Sequence, residues 1–172
     1  MKPRLLITLG ATATLALAAC TQAPDQAQVQ RDVEKAQAEG QKKVADAKAK
    51  LDQVNAENRK DIVETRIDAT SDATKNANTT PAQNAEPGTP PANASANKDI
   101  ANAQNKAAKK AADAQYDVEK ATAEAEYDVA VARCKAQTGS AEKSCKDSAK
   151  TTYDSKINQA KAKNNANQHQ RG

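Results

Sequence analysis

The chain has 172 residues, a formal net charge of +4, and 39 alanines that supply most of its 38% hydrophobic residues. Beyond residue 20 it contains only thirteen valines, leucines and isoleucines, three tyrosines, and neither phenylalanine nor tryptophan. Because burial stabilises a fold by roughly 25 cal/mol per Å² of apolar surface, and alanine offers little of it, this composition excludes a conventional globular core. The abundance of strong helix formers instead predicts an all-α protein of long, thin, coiled-coil-like amphipathic helices.

The first nineteen residues have the pattern of a bacterial export signal. Two cations, Lys2 and Arg4, precede a run of uncharged residues at 5–19. As a helix this run reaches only about 22 Å, which is short of the ~30 Å hydrocarbon core of a bilayer. The run leads into Leu17-Ala18-Ala19-Cys20, which resembles the lipobox of bacterial lipoproteins at every position.

The lipoprotein resemblance implies that residues 1–19 are a signal peptide and that Cys20 becomes a lipid-modified N-terminus. Several acyl chains on one residue would anchor the chain stably, whereas one chain gives marginal binding. Thr21 stands where an aspartate would mark inner-membrane retention in enteric bacteria, so the resemblance favours an outer-membrane anchor facing the periplasm. The alternative is a chance cysteine beside an ordinary signal peptide. Loss of the two signal cations leaves a net charge of +2.

After a polar tether at 20–28, the sequence predicts a long helix over 29–75. Its larger apolar residues fall within about 80° of one another and form a narrow stripe: Val29, Val33, Val44, Leu51, Val54 and Ile62. Val63 and Ile67 leave this stripe. Residues 76–97 contain four prolines, which forbid a continuous helix and predict a mobile, partly disordered linker.

Residues 98–163 predict a helical hairpin that turns at Gly139, followed by a disordered tail at 164–172. The first arm has two apolar faces. Ile100, Val118 and Val129 lie on one side, and Tyr116, Tyr127, Val131 and Cys134 lie on the opposite side.

The first and second helices contain a repeat. Residues 31–50 and 116–135 are identical at 11 of 20 aligned positions, which indicates a duplicated helical unit. The first copy has Ala49 where the second has Cys134, so the cysteine pair belongs to the second copy alone.

Cys134 and Cys145 stand five residues before Gly139 and five residues after Ser140. A hairpin that turns there places the two cysteines level, which is the geometry that a disulfide needs. An exported chain enters an oxidising compartment, and closing about ten residues stabilises by roughly 2–3 kcal/mol. The alternatives are free or intermolecular thiols, or a metal or redox site. A zinc site needs four ligands, and only His169 could join the two thiols.

The hairpin segment also carries a second resemblance. Val131-Ala132-Arg133-Cys134-Lys135, then Gly139, then Lys143-Ser144-Cys145-Lys146, resembles small helical envelope proteins of proteobacteria. Those proteins are often labelled TolA-like because of their Ala/Lys/Glu-rich helices. The similarity is most specific over 116–163, and it implies a helical envelope protein.

The sequence predicts neither an active site nor a cofactor. There is one histidine, His169, and no glycine-rich phosphate loop, so a catalytic triad or a hydrolytic metal centre lacks its residues. The lysine-rich segment 106–114 resembles basic nucleic-acid-binding tails, but export and a near-neutral charge argue against nucleic acid. No enzyme, metal, cofactor or small-molecule substrate is therefore expected.

These features predict a non-enzymatic lipoprotein with a structural spacer role in the cell envelope, which self-associates or contacts an envelope protein. The alternative is an adaptor whose disulfide-closed hairpin binds a protein partner or peptidoglycan. Its candidate partner-binding face comprises Tyr116, Tyr127 and Val131.

Overall fold

The computed structural model describes residues 25–79 and 92–169. These residues form three helices and one short turn, with no strand among them: α1 (Gln26–Thr79), α2 (Ala92–Cys134) and α3 (Gly139–His169). The predicted all-α class and long helices are confirmed. The predicted signal peptide, Cys20 and the middle of the predicted linker lie outside the described residues.

Helix α1 begins at a side-chain cap. The Asp25 carboxylate accepts a hydrogen bond from the Ala27 amide at 3.0 Å, and the Asp25 carbonyl accepts one from the Val29 amide at 3.0 Å. A capping aspartate satisfies amides that the first helical turn leaves unpaired. The 54 residues that follow contain no proline and correspond to a length of about 80 Å.

Helix α2 is the centre of the fold. It runs antiparallel to both neighbours, and within the described residues α1 and α3 do not pack against each other. The Lys135 ammonium lies 2.8 Å from the Asp32 carboxylate at one end of the α1–α2 pair, and Lys110 lies 3.4 Å from Asp61 towards the other end. The molecule is therefore a layer of three helices and has no core surrounded on all sides.

Burial is shallow and consists mostly of alanine. The buried apolar residues are Ala107, Ala114, Val118, Ala123, Ala132, Cys134 and Ala160. All six residues of the predicted α1 stripe are half-buried, whereas Val63 and Ile67 are 53% and 62% exposed. The structure confirms the stripe and the point at which it ends.

Four predicted boundaries differ from the structure, two of them in α1, which begins at Gln26 inside the predicted 20–28 tether and ends at Thr79 instead of residue 75. Helix α3 does not stop at residue 163, because Asn164 donates to the Asp113 carboxylate at 2.9 Å and Gln168 donates to the same carboxylate at 3.0 Å. The predicted tail is thus helical over 164–169. Helix α2 begins at Ala92, directly after the last proline, so both ends of the predicted 76–97 linker are helical.

Candidate functional site

One close approach of α1 and α2 lies at a glycine. Gly40 is buried, and a Cβ added there would lie 2.6 Å from the Ala125 Cβ and 3.2 Å from the Ala125 Cα. Neither atom belongs to a flexible side chain that could move aside. Glycine at this position therefore allows the two helix backbones to approach each other.

Asn58 is the polar residue of the same seam. The residue is 6% exposed, and its Nδ2 donates a hydrogen bond of 2.8 Å to the Ala107 carbonyl. Its Oδ1 has no hydrogen-bond partner among the described residues. A single buried asparagine in an apolar seam specifies the register of two helices at a cost in stability. Sequence reasoning missed Asn58, although its spacing of four residues from Val54 and Ile62 places it in the stripe.

Ion pairs follow one edge of the α1–α2 seam. Their partners and distances are Asp32–Lys135 at 2.8 Å, Lys50–Asp117 at 2.9 Å, Lys43–Asp128 at 3.2 Å and Asp61–Lys110 at 3.4 Å. Each pair is partly exposed, and exposed pairs add little net stability. Because they recur along the length of the seam, they favour one register and one direction of packing.

Two of these groups have a perturbed pKa. The hydrogen bond from Lys135, followed by one from Gln28, holds the pKa of Asp32 below its ordinary value of 3.8. The hydrogen bond to Asp128 raises the pKa of Lys43 above its ordinary value of 10.5. In both cases the hydrogen-bond partner, whether it lies across the seam or on the same helix, favours the charged form.

The other seam, between α2 and α3, is closed covalently. Cys134 and Cys145 form a disulfide with their Cα atoms 5.6 Å apart, and Cys134 is 1% exposed. The chain reverses through 135–138, and Gly139 has φ of +61°, a left-handed value that glycine adopts without strain. The predicted turn at Gly139 and the predicted pairing of the two cysteines are both present.

Aromatic side chains pack about two helical turns away from the disulfide along the same α2–α3 seam. The rings of Tyr127 and Tyr153 have centroids 5.2 Å apart and are tilted by 41°. Ion pairs continue the seam on the side away from the turn, between Lys156 and Glu126 and, at 3.2 Å, between Lys163 and Glu119.

These contacts change the interpretation of the candidate partner face. Tyr127 faces its own α3, so part of that face is already occupied within the chain. Tyr116 and Val131 are half-buried on α2.

A groove lies where α1 and the disulfide end of α3 flank α2. It has a volume of about 910 Å³. Its floor and walls are largely apolar and include Gly40, Val44, Ala125, Val129 and Ala130, with charged Lys48, Glu126 and Arg133 among them. The groove lies in the half of the molecule nearest the start of α1.

The described residues offer no grouping for metal chemistry. Over 25–79 and 92–169, no three histidine, cysteine, aspartate or glutamate side chains lie close enough together to hold an ion. His169 is exposed at the end of α3. Within the same ranges, no helix has both the length and the apolar character required to cross a membrane.

No family model matches the chain, and neither a curated protein nor a solved structure matches it significantly.

Proposed function

We propose that the chain is a non-enzymatic lipoprotein of the bacterial cell envelope that acts as a helical spacer. In this proposal a lipid on Cys20 holds the chain on the periplasmic face of the outer membrane. The lipobox-like Leu17-Ala18-Ala19-Cys20 supports the anchor. The observation that carries the spacer role is α1, which begins six residues after Cys20 and continues for 54 residues, a reach of about 80 Å.

The order of the helices gives this rod two different ends. The contact between Lys135 and Asp32 lies near the start of α1, so the disulfide-closed turn is at the end of α1 that is nearest to Cys20 in the sequence. Helix α3 ends near Lys109, whose carbonyl accepts a hydrogen bond of 3.4 Å from Gln168. Beyond that level only α1 and α2 continue, so the end distant from the membrane is a two-helix rod.

The anchor is tested by metabolic labelling with palmitate. Wild-type chain should incorporate the label and fractionate with outer membranes. The Cys20→Ala variant should do neither, because it lacks the sulfur that accepts lipid. Label that persists in Cys20→Ala would contradict the anchor.

The spacer role is tested by the thickness of the protein layer. Neutron reflectometry of the lipidated chain on a supported bilayer of phosphatidylethanolamine and phosphatidylglycerol should show a layer of about 80 Å. A matched variant that lacks 66–79 and 92–101 keeps the Asn58 and Asp61 contacts, and its layer should be thinner by about 20 Å. A layer only one or two helices thick for both chains would contradict a spacer that stands off the membrane.

A second candidate function is an envelope adaptor, and the groove between α1 and α2 favours it. A photo-crosslinking residue at Gln41, which lines the groove, should capture one stoichiometric heterologous protein in living cells if the chain is an adaptor. The matched control is Lys42, which is exposed and does not line the groove. Adducts with the chain itself, or none that differ between the two positions, favour the spacer.

A further inference from the structure

The two copies of the repeat pack against each other. Position 40 in the first copy corresponds to position 125 in the second, and Gly40 and Ala125 are in direct contact. Because α1 and α2 are antiparallel, this contact is the centre of a local two-fold relationship between residues 31–50 and 116–135. The α1–α2 seam is therefore a pairing of a helical unit with its own duplicate.

The ion pairs obey the same symmetry. Asp32 and Lys50 of the first copy correspond to Asp117 and Lys135 of the second. Lys50 pairs with Asp117 at 2.9 Å, and its symmetry equivalent is Lys135 with Asp32 at 2.8 Å. Each copy thus carries both the acid and the base that its counterpart requires, so the surface is self-complementary.

One pair near the centre breaks the symmetry. Lys43 in the first copy corresponds to Asp128 in the second, and these two residues pair with each other at 3.2 Å. Two α1 helices packed in the same way would bring Lys43 against a second Lys43, and two α2 helices would bring Asp128 against a second Asp128. Like charges placed opposite each other disfavour both arrangements. The surface of α1 therefore selects an α2, whether from its own chain or from another.

The contacts also make α1 the separable helix. Among the described residues α1 packs only on α2, so its departure leaves every α2–α3 contact in place. The α2–α3 hairpin keeps its disulfide and its Tyr127–Tyr153 ring pair without α1. In contrast, the α1–α2 seam has no covalent link: it consists of the half-buried α1 stripe, small residues such as Gly40 and Ala125, one asparagine and partly exposed ion pairs.

We propose that two copies of this chain associate by exchanging α1, each α1 packing on the α2 of the other copy. The exchanged seam has the same residue contacts as the seam within one chain, which makes exchange a low-cost route to a dimer. The proposal does not depend on the spacer function or on the lipid anchor. Anchoring would favour exchange only by concentrating the chains.

Protein concentration sets the balance between the monomer, in which α1 packs on its own α2, and the dimer, in which the α1 helices are exchanged. Twelve residues, 80–91, connect the two helices. A connector of that length gives each α1 an effective concentration of its own α2 in the millimolar range, with which the α2 of another copy must compete. Exchange should therefore increase as the protein approaches roughly millimolar concentration.

The test uses the full chain in unlabelled and ¹⁵N-labelled forms, mixed in equal amounts. The two forms are unfolded, refolded together at about 1 mM, and treated with a zero-length carbodiimide, which joins an ammonium to a carboxylate in direct contact. Mass spectrometry then reads whether each joined peptide pair comes from one chain or from two. The diagnostic pairs are Lys50–Asp117 and Lys135–Asp32, and the internal control is Lys163–Glu119 within the hairpin.

Exchange predicts mixed-isotope product at both diagnostic pairs, rising with concentration towards about half of the total. The control pair should give only single-isotope product, because the hairpin does not open. Single-isotope product at the diagnostic pairs, at every concentration, would overturn the proposal. Mixed-isotope product at the control pair as well would also overturn the proposal, because the hairpin would then not stay within one chain. Mixed-isotope Lys50–Asp32 product alone would overturn it too, because it would report α1 packed on α1.

A charge-reversal pair provides a second measurement. One chain carries K43D and K50D, and the other carries D117K and D128K, so each chain alone places like charges across its own seam. Reciprocal exchange restores both attractive pairs, and light scattering of the mixture should show a complex with twice the monomer mass. A mixture that stays monomeric while the ellipticity of each chain shows intact helices would overturn the proposal.

Discussion

The α1–α2 seam and the α2–α3 hairpin share one helix but are held together in different ways. The hairpin is joined at one end by the Cys134–Cys145 disulfide and at its middle by the pair of tyrosine rings. The α1–α2 seam is longer and has neither device, and it includes a close contact of a glycine with an alanine. A chain poor in large apolar residues can thus pair helices by local covalent closure or by close backbone approach over many turns.

The duplicated unit shows where the two surfaces diverged. Residues of α2 that line grooves against α1 are retained in the first copy, for example Val129 as Val44 and Ala132 as Ala47. Three residues of α2 that contact α3 are replaced, since Cys134, Tyr127 and Glu126 correspond to Ala49, Lys42 and Gln41, whereas Glu119, which pairs with Lys163, is retained as Glu34. The first copy kept the self-complementary surface and lacks the surface that would bind a further helix.

The largest expected effect comes from removing the covalent closure. Cys134→Ser with Cys145→Ser should lower the free energy of unfolding of the hairpin by roughly 2–3 kcal/mol, because the unfolded loop is no longer constrained. Thermal unfolding followed by circular dichroism measures the loss. Wild-type chain in reducing agent is the matched control, and an unchanged unfolding curve for both would contradict a stabilising disulfide.

A smaller effect is expected at the seam centre. Gly40→Ala should weaken α1–α2 packing by about 1–3 kcal/mol, because its Cβ would overlap the Ala125 Cβ. Hydrogen exchange should accelerate in α1 and stay unchanged in α3. The matched control is G40A/A125G, which moves the methyl group across the local two-fold axis and should recover most of the loss. A Gly40→Ala variant more stable than wild type would mean that helix propensity outweighs the close approach.

The ring pair of the hairpin contributes next. Tyr153→Leu should cost about 0.5–1.5 kcal/mol beyond the buried area that it loses, since leucine cannot reproduce the tilted ring contact. Urea unfolding monitored by circular dichroism measures it. Tyr116→Leu is the control, because the ring contact in the described residues joins Tyr127 and Tyr153. Equal losses in both variants would assign no special role to the ring pair.

The smallest effect is the acid dependence of the α1–α2 seam. The folded-state pKa of Asp32 is below 3.8, so the ionised carboxylate stabilises the fold; its contribution is complete above pH 3.8 and is lost as pH falls through the lower folded value. The carboxyl carbon signal of Asp32 in NMR should therefore titrate below pH 3.8. In Lys135→Ala the midpoint should move back up, and an unmoved midpoint would contradict the assigned cause.

Local patterns predicted much of this architecture. The six-residue stripe of α1 needed only helical periodicity, because each member lies on a face that any partner would cover. The turn at Gly139 and the disulfide followed from matched spacing on either side of a glycine. The end of α3 could not be predicted in this way, because Asn164 and Gln168 are held by Asp113, about fifty residues away.

The α1–α2 seam was predicted least well. Its stripe was identified, but its partner was not, since alanine-rich faces match many others in composition. The contact of Gly40 with Ala125 depends on the register of two antiparallel helices, which no single helix specifies. Asn58 acquires its role only when the Ala107 carbonyl lies opposite. The repeat contained the missing information, because its two copies prove to be the two partners.

The position of the 80–91 connector has a consequence for proteolysis. If Cys20 carries the lipid, α1 is the part of the chain that remains on the membrane, and the α2–α3 hairpin is attached to it covalently through that connector alone. A single cleavage between Thr79 and Ala92 would leave the hairpin, still closed by its disulfide, retained only by the α1–α2 seam. The dissociation rate of that seam would then determine how quickly the hairpin is shed from the surface.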